Sequence, residues 1–505
     1  MDIVKNGEWK ERGQEGILWL AINAKYSHTS LAVRYLRECV PGSEILELTI
    51  NHQLLAALGE IYERRPRVLG IACYIWNIEM VKDLLRLLPA ALPDTIIVCG
   101  GPEVSYDTAA FFREFPMVDF VVRGEGEEAV VQLIERLRAV KLDKARAAEV
   151  SRLGSLPGVA MRREDGSIDE STAVTVADFS QVPFAYREAE MEPIKERILY
   201  YETSRGCPFS CAYCLSCATA GVRFLPLARV FGELDFFVRH DVRQVKFVDR
   251  TFNAKKSHFL PILQYILALP QTVRTNFHFE VAIDYLDEDV LETLAQMPRG
   301  RVQLEIGIQS TNEKTLQAVS RCNHWEQIAA HIRRILSFHN MHLHVDLIIG
   351  LPGEGMDSFA RSFNDVYELH ADMLQLGFLK FLKGASMMQL VEPYRYAYMA
   401  MAPYEVLRSD ALTYGEIRWF HSFEDVFETY YNAGRCRHTA DFLIKSQEHG
   451  DAFAFWKRFT DWWENHGYHK VGHATKDLYG LLRDFAGDAY GTAAVLLDNL
   501  LRFDA

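Results

Sequence analysis

No stretch of this 505-residue sequence reaches the roughly 18 consecutive apolar residues that a bilayer crossing needs. Its opening, MDIVKNGEWKERGQEG, lacks the apolar core of a secretory leader, so the reading is a cytoplasmic protein with no membrane partner. Nine cysteines, odd in number and scattered apart from one cluster, exclude a disulfide framework. Basic charge is in deficit. The 55 Lys and Arg against 68 Asp and Glu give −13, which disfavours anionic membranes and non-specific nucleic-acid binding as the main task. No G-x-G-x-x-G follows the first apolar run, which disfavours a dinucleotide site. What is present is 49% hydrophobic and 24% charged, a composition that predicts a soluble globular chain of about three domains.

Residues 1–140 contain the strand-like runs ILWLAINA, EILELTI, RVLGIACYI, TIIVCGG and VDFVVRG. Between them the spacing predicts helices at LAVRYLREC, capped by Thr29 or Ser30, and over 51–65, 77–92, 105–115 and 126–140. Strands that alternate with helices predict a parallel, doubly wound sheet, which binds ligands at the carboxyl ends of its strands. The candidate loops are 23–29, 74–77, 100–105 and 124–127, whose glycines mark tight turns or close approach to something bulky. Residues 141–197 read as a connector with a hairpin around Asp165-Gly166. Residues 198–385 hold six strand–helix repeats, which suit a partial (β/α)6 barrel with its site at the carboxyl strand ends. Residues 386–505 read as a helical domain with no further strands, and 23 aromatics, about 19% of it, imply an aromatic core.

The sharpest feature is RGCPFSCAYCLSC, which places Cys207, Cys211 and Cys214 in a C-x3-C-x2-C spacing with Cys217 three residues on. A Pro- and Gly-bearing loop directly after a strand is a poor place for buried structural cysteines. Zinc, or an iron–sulfur cluster closed by Cys217, would use four ligands. Three thiolates would instead leave one iron of a 4Fe-4S cluster open to a ligand. Cys39, Cys73 and Cys99 lie on a helix end and in apolar strands, and read as core packing.

With Tyr213 before its third cysteine, the motif resembles that of the radical S-adenosylmethionine superfamily. FVDRTFN (247–253) falls where that family binds the amino group, although it departs from Gly-Gly-Glu. LEIGIQS (304–310) and VDLIIGLPGE (345–354) are similar to the fourth- and fifth-strand motifs of its cobalamin-binding branch. GGPEV…VDFVVRGEGEE is similar to that branch's N-terminal domain, and the last segment resembles an uncharacterised accessory domain of such proteins. The resemblance implies a Rossmann-like front sheet and a TIM-like partial barrel. It also implies three cofactors, a 4Fe-4S cluster on Cys207, Cys211 and Cys214, S-adenosylmethionine and cobalamin. Asp249, Glu280, Glu305, Gln309 and Ser310 are the expected S-adenosylmethionine contacts. Ser30, Gly100, Gly101, Ser105, Gly124 and Glu125 are the expected cobalamin contacts. Cobalamin proteins that donate an axial imidazole carry Asp-x-His-x-x-Gly, whereas the loop here is AKYSHTSLA, so His28 is expected not to ligate cobalt.

The function implied is C-methylation, with methylcobalamin and a 5′-deoxyadenosyl radical, of a small molecule, peptide or RNA, supported by a reductant such as flavodoxin or ferredoxin. Rearrangement or ring formation with the same cofactors is the nearest rival, and a cobalamin or cluster sensor is the rival of another class. The last domain has 12 Lys and Arg against 17 Asp and Glu, hence no broad basic face. It is expected to select the substrate and to be dispensable for cofactor chemistry in a chain ending near Gly384. The spacing generates one test. In anaerobically reconstituted protein, Cys207→Ala, Cys211→Ala and Cys214→Ala each abolish the cluster, measured as iron content, whereas Cys217→Ala retains it.

Overall fold

The computed structural model describes residues 15–163, 165–218, 221–491 and 494–504. The chain separates into two compact units, one made of 1–205, 221–248 and 270–275, the other of 206–220, 249–269 and 276–505. Among the described residues no helix is long and apolar enough to cross a membrane.

The first unit is built on β1 (Ile17–Asn23), β2 (Glu44–Thr49), β3 (Val68–Ala72), β4 (Ile96–Gly100), β5 (Phe120–Val122), β6 (Val159–Arg162) and β7 (Ile168–Asp169). They form one sheet in the order β2-β1-β3-β4-β5-β6-β7. The first five strands are parallel, as their apolar runs predict, and the order reverses between β1 and β3. The predicted hairpin is β6–β7, and it extends this sheet antiparallel to β5. Trp19 of β1 is fully buried over Gly70 of β3, where an added Cβ would lie 2.2 Å from the indole. The helix expected over 105–115 divides into Pro102–Ser105 and Thr108–Glu114. Ser30 is the N-cap residue of the helix Leu31–Cys39 but makes no side-chain cap, since its N–H donates to Glu47 at 2.6 Å.

The same unit holds β8 (Ile198–Tyr201), an antiparallel two-rung ladder of β9 (Ser204–Arg205) with β10 (Arg223–Phe224), and β11 (Gln244–Phe247), parallel to β8. The loop after β1 bonds to the start of β8: Ile198 N–H donates to Ser27 O at 2.8 Å, and Thr29 N–H returns to Ile198 O at 3.3 Å.

In the second unit β12 (Asn276–Glu280), β13 (Val302–Gln309), β14 (His342–Ile349) and β15 (Met373–Phe378) are parallel neighbours in chain order. With β8 and β11 they make up the six predicted strand–helix repeats. Along β13 buried Val302, Leu304, Ile306 and Ile308 alternate with half-buried Gln303, Glu305, Gly307 and Gln309. One face therefore packs on helices and the other carries polar groups inward.

The region after 385 is largely helical but not free of strands. β16 (Ala397–Tyr398) and β17 (Val406–Arg408) form a short antiparallel pair. Its aromatic core is shared with the helix Met356–Tyr367. Phe359 meets Phe420 at 5.0 Å between ring centroids, and Phe363 meets Phe423 and Phe427, each at 5.3 Å. Asn432 brackets β15, accepting from Leu374 N at 3.0 Å and donating to Leu374 O at 2.9 Å. A chain ending near Gly384 would uncover Phe359, Phe363 and Tyr367, which pack against the region it lacks. Such a chain is expected to precipitate. In the full-length chain, Phe363→Ala should cost about 3–5 kcal/mol in urea unfolding monitored by circular dichroism.

Candidate functional site

The cysteine loop leaves β9 at Gly206, whose φ of 101° suits glycine, and returns into β10. Cys207, Cys211 and Cys214 are free thiols, Cys211 buried and the other two half-buried. Each sulfur has its own polar neighbour. Thr251 Oγ1 lies 3.5 Å from Cys207 Sγ, Arg321 Nη1 donates to Cys211 Sγ at 3.6 Å, and Ser216 N–H donates to Cys214 Sγ at 3.4 Å. Arg321 is held by Asn323 Oδ1 at 3.0 Å and by the Gly307 carbonyl, beside the Tyr213 hydroxyl at 3.4 Å. Burial alone would lower its pKa, but Tyr213 and Cys211 raise it, so the guanidinium stays charged against the sulfur. Between the cysteines, Ala212 is pinned from two sides, by its N–H to Val319 O at 2.9 Å and by Met387 N–H to its carbonyl at 2.8 Å. Three thiols with N–H and guanidinium donors beside them suit a soft metal. The side chain of Cys217 lies outside the described residues. Two front-domain cysteines contrast with these: burial pushes the Cys39 thiol up to about 12, and Cys99, hydrogen-bonded to Cys73 and buried, lies well above the ordinary thiol range.

Four of the predicted S-adenosylmethionine contacts stand at or near the carboxyl ends of β12 and β13. Glu280 and Glu305 are register partners, and Glu305 is opposite His344 of β14. His278 Nε2 lies 2.9 Å from Glu305 Oε2, and His344 Nε2 lies 3.0 Å from Asp346 Oδ1. Glu305, His344 and Asp346 bring one ligand atom each within 4.8 Å of one another, a set suited to a cation or to the polar groups of a ligand. Asp249 is fully buried, at the start of the loop whose Asn253 clamps Ala282 through bonds of 2.7 and 2.9 Å. Gln309 sits at a bulge with φ 72°, its amide folded over Gly307. Ser310 points elsewhere. Its Oγ donates to the buried Glu354 carboxylate at 2.7 Å, which Ser362 also meets at 3.0 Å.

The predicted cobalamin contacts gather at the carboxyl ends of the front sheet. Gly101 and Gly124 are required by the chain itself, since a Cβ would lie 2.5 Å from Cys73 O in one case and 2.2 Å from Val174 O in the other. Gly100 ends β4 with ordinary clearance, a Cβ there lying 3.5 Å from Val122. Ser105 Oγ donates to Gly101 O at 2.8 Å, and buried Ser30 closes the loop after β1. The Glu125 carboxylate accepts from Val176 N at 2.7 Å and pairs with Arg223 and Arg205. Burial alone would raise its pKa, but Arg223, Val176 and Arg205 hold it below the ordinary carboxylate range. His28 is engaged, with Nδ1 2.7 Å from the Tyr200 hydroxyl, and burial, then Lys25 and Lys246, lower its pKa.

Several groups escaped the sequence reading. At the reversal between β1 and β3, Trp76 stacks on Tyr74 at 4.5 Å while its indole N–H donates to Ile22 O at 3.0 Å. Trp76 remains 45% exposed, with Tyr26 at 71% and Tyr106 at 42% on neighbouring loops, an aromatic rim around the strand ends. Arg321 had no sequence signal, whereas Thr251 lies within FVDRTFN. His278 and His344 had one, since strand alternation puts them on the same face as Glu280 and Glu305.

Residues 17–134 match the family described as B12 binding domain, residues 201–366 match the Radical SAM superfamily, and residues 392–505 match a protein of unknown function, DUF4080. The chain thus joins a B12-binding domain to a radical SAM domain, as its motifs imply. It is 26% identical over 406 residues to the cobalamin-dependent radical SAM methyltransferase TokK of Streptomyces tokunonensis, covering 74% of this chain and 56% of that one. It is 27% identical over 325 residues to the 2-(S-pantetheinyl)-carbapenam-3-carboxylate methyltransferase of Streptantibioticus cattleyicolor, covering 60% and 45%. The chain therefore spans about half the length of these relatives. Its fold is that of the cobalamin-dependent S-adenosylmethionine radical enzyme OxsB, with a TM-score of 0.63 at 14% identity over 97% of this chain and 80% of that one.

The Ser310–Glu354–Ser362 cluster gives a pH test. Burial pushes the Glu354 carboxyl up to about 7 against the partial relief of Ser310 and Ser362. The folded chain then keeps a proton that the unfolded chain releases between pH 4.5 and about 7, so stability falls as pH rises through that window. Glu354→Gln should match wild type at pH 4.5 and exceed it at pH 8 by up to about 3 kcal/mol, read from urea unfolding at both pH values.

Proposed function

We propose that the chain is a cobalamin-dependent radical S-adenosylmethionine enzyme, and specifically a methyltransferase acting on an unactivated carbon. The proposed domains are a cobalamin-binding front (1–140), a connector (141–197), the radical barrel (198–385) and an accessory helical part (386–505). The observation that carries the reading is the loop of three free thiols, each supplied with a hydrogen-bonding neighbour. Cys207, Cys211 and Cys214 would hold the 4Fe-4S cluster, and Arg321 would offset its negative charge.

Bound in this chain, the cluster and S-adenosylmethionine supply one-electron chemistry, and cobalamin supplies methyl transfer. The chain's own residues bind and orient. Glu280 and Glu305 offer acceptors for hydroxyl groups, His278 fixes the second oxygen of Glu305, and Asp249 is the acceptor for an ammonium. Gln309 shapes the wall above Gly307, while Ser310 acts through Glu354 to hold the end of β13. At the front sheet, the flat face of Trp76 at the strand reversal, rimmed by Tyr26 and Tyr106, fits an extended planar ring. Gly100, Gly101 and Gly124 offer close backbone, with Ser30, Ser105 and Glu125 around them. His28, whose loop lacks Asp-x-His-x-x-Gly and whose Nδ1 meets Tyr200, is not assigned to the metal. The substrate and an external one-electron reductant are further partners on this reading. The names of the two methyltransferase relatives support methylation over rearrangement.

The test is product analysis of anaerobically reconstituted protein given hydroxocobalamin, S-adenosylmethionine and a reductant. Methylation yields 5′-deoxyadenosine together with S-adenosylhomocysteine, both lost in Cys211→Ala. 5′-Deoxyadenosine alone would point to rearrangement or ring formation, and neither product would leave a sensor as the better reading.

A further inference from the structure

Where the cysteine loop leaves and returns, two arginines face each other, since Arg205 and Arg223 are register partners in the β9–β10 ladder. Like charges directly opposite on a ladder repel, and the Arg205 side chain is only 11% exposed. One carboxylate lies against both. Glu125 Oε2 is 2.9 Å from Arg223 Nη1 and 3.4 Å from Arg205 Nη1, and Oε1 meets Arg223 Nη2. Val176 completes the clasp, its N–H donating to Glu125 at 2.7 Å and its carbonyl accepting from Arg223 at 2.7 Å. Arg205 is further held by Glu127 at 2.5 Å and Glu202 at 2.6 Å, and lies 4.5 Å from the Phe179 ring centroid. Glu125 thus reaches both arginines. Its backbone has little freedom, because Gly124 has φ 84° and approaches Val174 O so closely that a Cβ would lie 2.2 Å away.

We infer that Glu125 is a positioning residue that couples the cobalamin site to the cysteine loop, an inference that rests on the function proposed above. Loop 124–127 is one of the loops assigned to the corrin, and the β9–β10 stem carries the cysteines. A corrin that orders this loop holds Glu125 where both arginines need it. A cluster that draws three thiols together orders the stem and keeps the arginines on Glu125. Each event does part of the ordering the other requires, so the two affinities rise together, and by the same factor in both directions.

The experiment is a binding cycle with hydroxocobalamin, followed anaerobically by absorbance, on cluster-loaded protein and on the same protein after its iron is chelated. Wild type should bind about fivefold or more tightly when the cluster is present. Glu125→Gln should bring that ratio to about one while keeping its iron. Glu128→Gln, at a carboxylate that accepts an exposed 3.3 Å bond from Ala177 N, should keep the wild-type ratio. A ratio of one in wild type, or an unchanged ratio in Glu125→Gln, overturns the inference. Should Glu125→Gln fail to fold, Arg223→Lys keeps the charge but loses the two-pronged contact, and an undiminished ratio there overturns the inference equally. Absence of saturable hydroxocobalamin binding to wild type in either form is a different result, because it removes the cobalamin reading itself.

Discussion

Parallel strands cannot be joined by tight turns, so each must be left at its carboxyl end and re-entered only after a crossover, and this constraint gathers the chemistry of the chain. In the first unit the ends of β3, β4 and β5 release the loops that carry Trp76, Gly101, Ser105 and Glu125. In the second, β12, β13 and β14 end in Glu280, Gln309 and the turn leading to Glu354. Residues far apart in sequence become neighbours because each sits one step beyond a strand. The front sheet adds the order reversal between β1 and β3, which opens space at the point where Trp76 stands.

Within that frame, hydrogen bonding decides how each polar residue at the strand ends is held. Ser105, Ser310 and Glu125 look alike in sequence to Glu280 and Glu305, being polar groups in strand-end motifs. Yet Ser105 closes a turn on Gly101, Ser310 serves Glu354, and Glu125 is held between two arginines. A buried polar group left unsatisfied is costly, so the chain completes its own networks first. The sulfur atoms follow the same logic, since Arg321 and Ser216 donate to Cys211 and Cys214 and Thr251 lies against Cys207.

The parallel strands and the cysteine spacing were legible because both are local signals: apolar runs of five to eight residues, and three cysteines within eight positions. The division of the 105–115 helix and the silent cap at Ser30 were not, because they depend on what packs nearby, such as Glu47 reaching the Ser30 amide. The hairpin at Asp165-Gly166 was visible, but its joining of the front sheet was not, since pairing between β5 and β6 is a long-range contact. Glycine was legible only in part. Gly101 and Gly124 announce tight backbone, yet the sequence does not say that Cys73 and Val174 supply the crowding. Arg321 left no mark at all, because a single arginine after a helix has no periodicity.

Ala212, seated between the second and third cysteines, donates its N–H to Val319 O and accepts one hydrogen bond from Met387 N–H. This carries a consequence in time. A ribosome delivers the cysteines long before it delivers Met387, and the aromatic partners of Phe359 and Phe363 emerge later still. The thiols are therefore made early and fixed late. Metal loading of the nascent chain would meet a loose loop, and the finished geometry exists only once the last helices have folded back onto Met356–Tyr367.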